Sequence, residues 1–560
     1  MNFSPAVRQA NIERMKGERF DVAVIGGGIT GAGVARDAAL RGLSVALVEK
    51  EDFASGTSSK SARLVHGGFR YLEQFQFGLV VSSCAERYKL CRMAPRLVRP
   101  LAFTFPIYRN SKHSLLKVRL GMWLYDLLAL FRNVRRHRIL GPEQVAVIEP
   151  ALDGHGLVGA ASYYDCQTDD ARLTLATIQS AHRRGALMAN HAEVCGLLKE
   201  KGSLSGVEVI DRLSGARFAV RARVTVNATG VWADQVRQMD DPGAGALLRV
   251  NRGSHLVLPR QKLAIHGAVT FASADGQRSM YAVPWGETCI VGTTDVDHQG
   301  GLDQVRIAAS EAEFILTSAQ HTFPSARLTQ DDIISTFAGL RPLIGQEGKA
   351  AYQVSRDHHI FESEAGLVSI AGGKLTTYRK MAQDVVDLVV KKLGTEFGVK
   401  VEQGNKSEQL SLVETASDPE TALIALATTY PQLADDILVH LTLTYGPAAA
   451  TMLAEVKGDA AQVRRIVAGL PYVWAEIPHA VEHEMALTLN DFLIRRTHVI
   501  HEDRDQGLGC ASGVAKAMAR YLGWNAAEIE RQIEDYRQQV EFTRAFQTER
   551  RQGEESCQSS

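Results

Sequence analysis

One stretch near the N-terminus constrains the fold more than any other part of the chain. Residues 20–50 read FDVAVIGGGITGAGVARDAALRGLSVALVEK: an apolar strand, a glycine-rich turn, a helix and a second apolar strand ending on an acid. Gly26, Gly28 and Gly31 fall on the G-x-G-x-x-G spacing. The first glycine permits the tight turn, the second lets the backbone approach a pyrophosphate, and the third lets helix and strand pack closely. The helix that follows directs unpaired N–H groups and the positive end of its dipole at that pyrophosphate. Glu49 closes the second strand, near the ~20-residue offset at which a carboxylate accepts hydrogen bonds from ribose hydroxyls. The pattern predicts a dinucleotide-binding β-α-β unit. Alone, it leaves NAD and FAD equally open.

The chain has 560 residues, 45% hydrophobic and 22% charged, enough for two or three domains. Lys+Arg and Asp+Glu balance at 63 each, so no global field draws it to nucleic acid. Seven cysteines at wide spacings, with no C-x-x-C pair, predict a reducing compartment and argue against a disulfide framework or zinc ribbon. The first twenty residues mix both charges and contain no apolar core, so no signal peptide is expected. No run of ~18 uninterrupted apolar residues occurs, so no spanning helix is expected either. A position on a membrane surface stays open.

Beyond the first unit comes a Ser- and Gly-rich loop, then a helical pattern around residues 79–93. Residues 161–190 read as a short strand, a turn and an amphipathic helix from about Asp170; residues 250–295 are rich in short strands. Another strand–glycine–helix unit occupies 366–393, followed by a polar linker at 401–409 and a region of helical periodicity. The segment VTVNATGVWAD (224–234) is a buried strand ending in Ala228, Thr229 and Gly230. Small residues there let backbone run beside a long cofactor. Two such elements far apart in sequence point to FAD buried lengthwise; taken singly, the strand reads equally as an ordinary sheet edge.

Three cations stand on glycine-bearing segments. Arg70 and Tyr71 follow His66-Gly67-Gly68-Phe69, Arg341 lies between Gly339 and Pro342 in an expected turn, and Lys374 follows Gly372-Gly373 at a helix start. Singly, each reads as a surface charge. Together, two arginine forks and a lysine point charge suit a dianionic phosphate.

The motifs GTSSKSARLVHGGFRYLE, YYDCQTDDARL, VNATGVWAD, IVGTTDVDHQG, GLRPL and GGKLTTYRKMA occur in that order. They resemble those of the FAD-dependent, respiratory-type glycerol-3-phosphate dehydrogenases over roughly residues 18–390, and EMALTLNDFLIRRT resembles that family's C-terminal domain. The resemblance implies an α/β plus α chain of the D-amino-acid-oxidase-like type: an FAD-binding Rossmann domain, a β-sheet substrate domain and a helical C-terminal domain. The expected boundaries are 18–400 for the first two, interleaved, with the substrate sheet mainly about 80–165 and 240–345. The linker 401–409, helices over 410–545 and a disordered tail at 546–560 follow.

Carried over by residue, the resemblance implies that Gly26, Gly28, Gly31 and Glu49 hold the ADP half of FAD. Ser58 and Ser59 line its middle, with His66, Gly67 and Gly230 also at the cofactor, and Gly373, Leu375 and Thr376 lie near the isoalloxazine. Arg70, Tyr71, Arg341 and Lys374 surround the substrate, the last two with catalytic roles. His255 is the expected proton acceptor, since histidine alone has an unperturbed pKa near neutrality; a polar core histidine at a strand start is the competing reading. The chain departs from the family pattern at Ala62 and Arg63, where Ser and Lys are common. No metal is expected. The implied reaction moves the C2 hydrogen of sn-glycerol 3-phosphate to FAD as hydride and gives dihydroxyacetone phosphate. Electrons then pass to a membrane quinone; a glycerol-3-phosphate oxidase, which yields hydrogen peroxide from oxygen, is the alternative. The family further implies a homodimer.

Residues 109–138 bear on the membrane. Leu115, Leu116, Val118, Leu120, Met122, Trp123, Leu124, Leu127 and Leu128 form a large apolar surface, with Arg109, Lys112, Lys117 and Arg119 at its start and Arg132, Arg135, Arg136 and Arg138 after it. Composition fits a helix lying on anionic lipid, and equally a core helix with a basic exit. The family favours the former, a cytoplasmic protein bound peripherally to the inner face of the cell membrane. Two readings from other classes stand beside the enzyme. His479, Glu482 and His483 match H-x-x-E-H, which a zinc hydrolase fused to a nucleotide-binding module would use. A flavoprotein that only senses its ligand would share the same folds without turnover.

Overall fold

The computed structural model describes residues 2–345, 357–401, 404, 406–413, 418–456 and 458–558, with side chains through 549. The first strand, Arg19–Ile25, lies parallel between Val45–Val48 and Arg217–Asn227, so that Ile25 stands opposite Val48 on one side and Asn227 on the other. Leu367–Gly372 extends the sheet beyond Arg217–Asn227, and Leu187–Ala189 extends it beyond Val45–Val48, both in parallel. Such strands are covered on both faces, which is why VALV and the end of RFDVAVI are apolar without alternation. One face carries the helices Ile29–Leu40 and Tyr378–Phe397, with Val24, Leu47, Ala35 and Val385 in one core. The other carries the N-terminal helix Pro5–Gly17 and an antiparallel ribbon, Ala192–Glu200 with Ser203–Asp211.

The carboxyl ends of these parallel strands open one crevice, where α/β sheets bind ligands. A second, ten-stranded sheet stands over it. At one edge of this sheet Leu248–Pro259 pairs with Thr288–Gly292 on one side and Ser335–Ile344 on the other. Register places Asn251 against Arg341 and His255 between Gly292 and Phe337. The turn expected at Gly339–Leu343 is therefore strand. Pro342 fits because, among the described residues, Ser335–Ile344 pairs with one neighbouring strand, and a residue without an N–H is tolerated on such an edge.

A helical C-terminal region begins at Pro419–Thr429. It is clamped to the first body by buried charges: Arg495 and Arg496 both bond Asp52, Arg172 pairs with Glu484, and His498 meets Asp169 at 2.6 Å. Of the polar stretch at 401–409, residues 402, 403 and 405 lie outside the described residues. Ser407 is buried, its carbonyl accepting from Arg36 and its hydroxyl from Arg379. The tail expected from 546 differs too: one helix runs Ala526–Gln558. Phe546 is buried against the second sheet's core, and Glu549 pairs with Arg306 at 2.8 Å. Polar composition concealed both anchors.

Candidate functional site

A long cavity runs along the crevice between the two sheets. At one end the chain after the first strand turns at Gly26, with φ +108°, and the helix Ile29–Leu40 begins. A Cβ on Gly31 would collide with the Gly26 carbonyl, so the third glycine serves packing and stands behind the cavity wall. Gly26, Gly28 and Glu49 do line it. Glu49 is buried and accepts from the N–H of Gly27 at 2.6 Å and of Glu51 at 2.9 Å; burial raises its pKa against the lowering effect of those bonds.

Along the middle, Ser58 Oγ accepts from Ile29 N at 2.9 Å, seating this loop on the helix N-terminus. Ser59 is buried off the wall. Gly230 lines the cavity after the Arg217–Asn227 strand, and His66 lines it as well. The Thr376 hydroxyl accepts from His66 N at 3.1 Å, joining two segments 310 residues apart. Gly67 is not on the wall; its N–H donates to Asp165 Oδ1 at 2.9 Å. Gly373, Leu375 and Thr376 close the floor.

The far end gathers the charges. Arg70 Nη2 donates to the Tyr71 hydroxyl at 3.2 Å, and Lys374 Nζ stands 4.2 Å from the Tyr71 ring centre. Lys374 also donates to Ser83 Oγ at 2.9 Å. Arg341 donates to Asn251 Oδ1 at 2.7 Å and Thr293 Oγ1 at 2.9 Å, with Asp295 at 3.3 Å. Its guanidinium occupies the space a Cβ on Gly253 would need, so strand register and a missing side chain together aim it.

His255 lines the same end. It is 3% exposed, stacks on Phe337 at 4.7 Å, and neither ring nitrogen has a hydrogen-bond partner. Burial, then the fields of Arg341 and Arg63, hold its pKa down to about 3. The near-neutral value expected from sequence is therefore corrected: this imidazole is neutral because it is dry and beside cations. An unpartnered buried ring aimed into a cavity is not a satisfied core histidine.

Sequence reasoning passed over Asn251, Thr293 and Asp295, although Thr293 and Asp295 lie inside the IVGTTDVDHQG motif. Ser83 carried no signal, being one serine on a helix. Arg63 turns away from the cavity, with its guanidinium 4.1 Å from the Trp285 ring centre and 3.1 Å from His498 Nδ1. His479 packs on Tyr445 at 4.9 Å and on His483 at 4.9 Å. Among the described residues no three His, Cys, Asp or Glu side chains converge as a metal set.

Comparison with known proteins agrees with this architecture. Residues 21–379 match the FAD dependent oxidoreductase family, and residues 408–529 match the C-terminal domain of alpha-glycerophosphate oxidase. Glycerol-3-phosphate dehydrogenase of Synechocystis is 35% identical over 95% of this chain and 98% of that protein. Aerobic glycerol-3-phosphate dehydrogenase of Staphylococcus aureus is 33% identical over 96% and 98%. The crystal structure of the Bacillus halodurans glycerol-3-phosphate dehydrogenase, complexed with FAD, superposes with a TM-score of 0.80 at 30% identity, covering 97% of this chain and 98% of that one.

The chain belongs to the FAD-dependent oxidoreductases, and within them to the glycerol-3-phosphate dehydrogenase family. FAD is its cofactor, and the cavity fits one. Gly26 and Gly28 line it at the helix N-terminus, where a Cβ on Gly26 would strike the Ala228 backbone; a buried carboxylate stands at one end, and an unpartnered imidazole at the other.

Proposed function

We propose that the protein oxidises sn-glycerol 3-phosphate to dihydroxyacetone phosphate and passes the electrons to a membrane quinone. One observation carries the reading: Arg70, Lys374 and Arg341 share a cavity end with an unpartnered histidine, on the cavity that begins at the dinucleotide turn. When bound, FAD supplies the hydride acceptor for the C2 hydrogen.

The chain's own residues do the rest. Gly26, Gly28 and Glu49 hold the adenosine end of the cofactor, Ser58 and Gly230 its middle, and Gly373, Leu375 and Thr376 its reactive end. Arg341 and Lys374 bind the phosphate dianion, and Arg70 with Tyr71 closes round it. His255 takes the C2 hydroxyl proton at a bare ring nitrogen. A phosphate beside Arg341 cancels part of the field that depresses His255, so the base strengthens when substrate is bound.

The acceptor assignment rests on the surface helix Leu115–Leu128. Val118, Met122 and Tyr125 bury one face, while Leu116, Leu120, Trp123 and Leu127, at 48–66% exposure, line the other. Arg109, Lys112, Arg132, Arg135 and Arg136 around it are all exposed. A half-bare apolar stripe with a basic fringe suits the headgroup boundary of an anionic bilayer. Among the described residues no single helix is long and apolar enough to cross a membrane. We place the protein, as a homodimer, on the inner face of the cell membrane.

Purified holoenzyme, given glycerol 3-phosphate, is expected to reduce a soluble quinone analogue with little hydrogen peroxide. Stoichiometric peroxide without quinone reduction would make the protein an oxidase. Light scattering checks the dimer.

A further inference from the structure

Among the described residues, one pair of cysteines stands within hydrogen-bonding distance: Cys91 Sγ lies 3.1 Å from Cys166 Sγ. They are 75 positions apart and only the fold brings them together. Cys91 is in the last turn of the helix Phe77–Met93 and part-exposed; Cys166 is in the strand Leu157–Thr168 and fully buried. Neither lines the cavity.

The helix presents Ser83, Arg87 and Cys91 four residues apart on one stripe. Ser83 accepts from Lys374, Arg87 pairs with Asp165, and Cys91 meets Cys166, the next residue along that strand. Asp165 in turn accepts the Gly67 N–H. A bond at the third position of this stripe therefore ties the support of Lys374 to the support of the His66–Tyr71 turn.

We propose that Cys91 and Cys166 form a peroxide-oxidisable dithiol that closes to an intramolecular disulfide, pinning the Phe77–Met93 helix to the Leu157–Thr168 strand. A disulfide needs its sulfurs at about 2.05 Å, so closure requires an approach of only about 1 Å. The hydrogen bond from Cys166 lowers the pKa of Cys91, with Arg87 adding to it, so the exposed member is the better nucleophile. The Cys91 thiolate attacks one oxygen of hydrogen peroxide; the O–O bond breaks, and the leaving hydroxide takes a proton and departs as water. Cys91 is then a sulfenic acid, oxidised by two electrons. Cys166 sulfur attacks it, the S–S bond forms, and the hydroxide leaves with the Cys166 proton as a second water. Two thiols and one peroxide give one disulfide and two waters. Such a bond is transient in a reducing compartment, as redox-sensing disulfides are.

The test treats the holoenzyme with hydrogen peroxide, blocks remaining thiols by alkylation, and maps peptides by mass spectrometry. The expected product is the Cys91 peptide linked to the Cys166 peptide, lighter by two hydrogens than the pair and separated again by dithiothreitol. The oxidised enzyme is also expected to unfold at a higher temperature than the reduced one. Cys91→Ala abolishes both effects and leaves turnover of the reduced enzyme unchanged. In Cys166→Ala, Cys91 is trapped by a sulfenic-acid reagent. Recovery of both thiols alkylated, or of Cys91 as sulfinic acid with Cys166 free, overturns the proposal.

Discussion

Arg341 is held by Asn251, Thr293 and Asp295 and by the gap at Gly253, which makes it a fixed fork instead of a mobile surface charge. Hydrogen bonds to charged groups contribute about 1.5–3 kcal/mol, so Arg341→Ala or Lys374→Ala is expected to raise the KM for glycerol 3-phosphate roughly 10–100-fold. The flavin spectrum stays intact, since neither side chain is assigned to the cofactor. Normal kinetics in both variants would remove the phosphate assignment. For His255 the expected loss is in kcat. A positioned general base contributes about 10²–10⁴-fold, and His255→Gln keeps the ring's volume roughly while abolishing the base. Steady-state kinetics with retained KM checks it.

At the scale of elements, the surface helix divides cleanly between a buried and a bare face. Burying one leucine or tryptophan side chain is worth about 1.5–3 kcal/mol, so Leu120→Glu with Trp123→Glu is expected to weaken vesicle partition by roughly tenfold or more. Flotation with anionic liposomes reads this, while turnover with a soluble acceptor is unchanged. Equal flotation of wild type and variant would leave the helix without its membrane role. The helix also shows why periodicity left two readings open. Val118, Met122 and Tyr125 are apolar, and so is the stripe opposite, so only the neighbouring strands reveal which side is covered.

Over the whole molecule, the helical C-terminal region and the first body share buried charge. Asp52 is fully buried and bonded by Asn190, Arg495 and Arg496. Removing one partner of such a cluster strands the others, at a cost of about 3–5 kcal/mol. Asp52→Ala is therefore expected to lower the melting temperature sharply, as calorimetry reads. Acid acts on the same scale. His255 at about 3 and His479 at about 4 lie well below the ordinary 6.5 because burial disfavours their charge. Between those values and 6.5 the unfolded chain binds more protons than the folded one, so stability falls as pH drops through that window. A thermal-unfolding series in pH is expected to show this slope, shallower in His255→Gln.

Much of this protein was legible in its sequence, for local reasons. Gly26, Gly28 and Gly31 act within one turn, Glu49 closes the next strand, and Arg70, Tyr71 and Lys374 lie beside their glycines in contiguous motifs. The dinucleotide unit and the cation-bearing segments follow from such neighbours alone. What depended on distant contacts did not show. The Gly339–Leu343 segment reads as a turn until register pairs it with Leu248–Pro259 along a free edge. The tail reads as loose until Phe546 finds the second sheet, and Ser83 is anonymous until the fold brings Lys374 to it. His255 was visible as a histidine, but its low pKa comes from dryness and from two arginines far away in sequence. Local patterns set backbone and residue type; only tertiary packing sets dielectric, partners and direction.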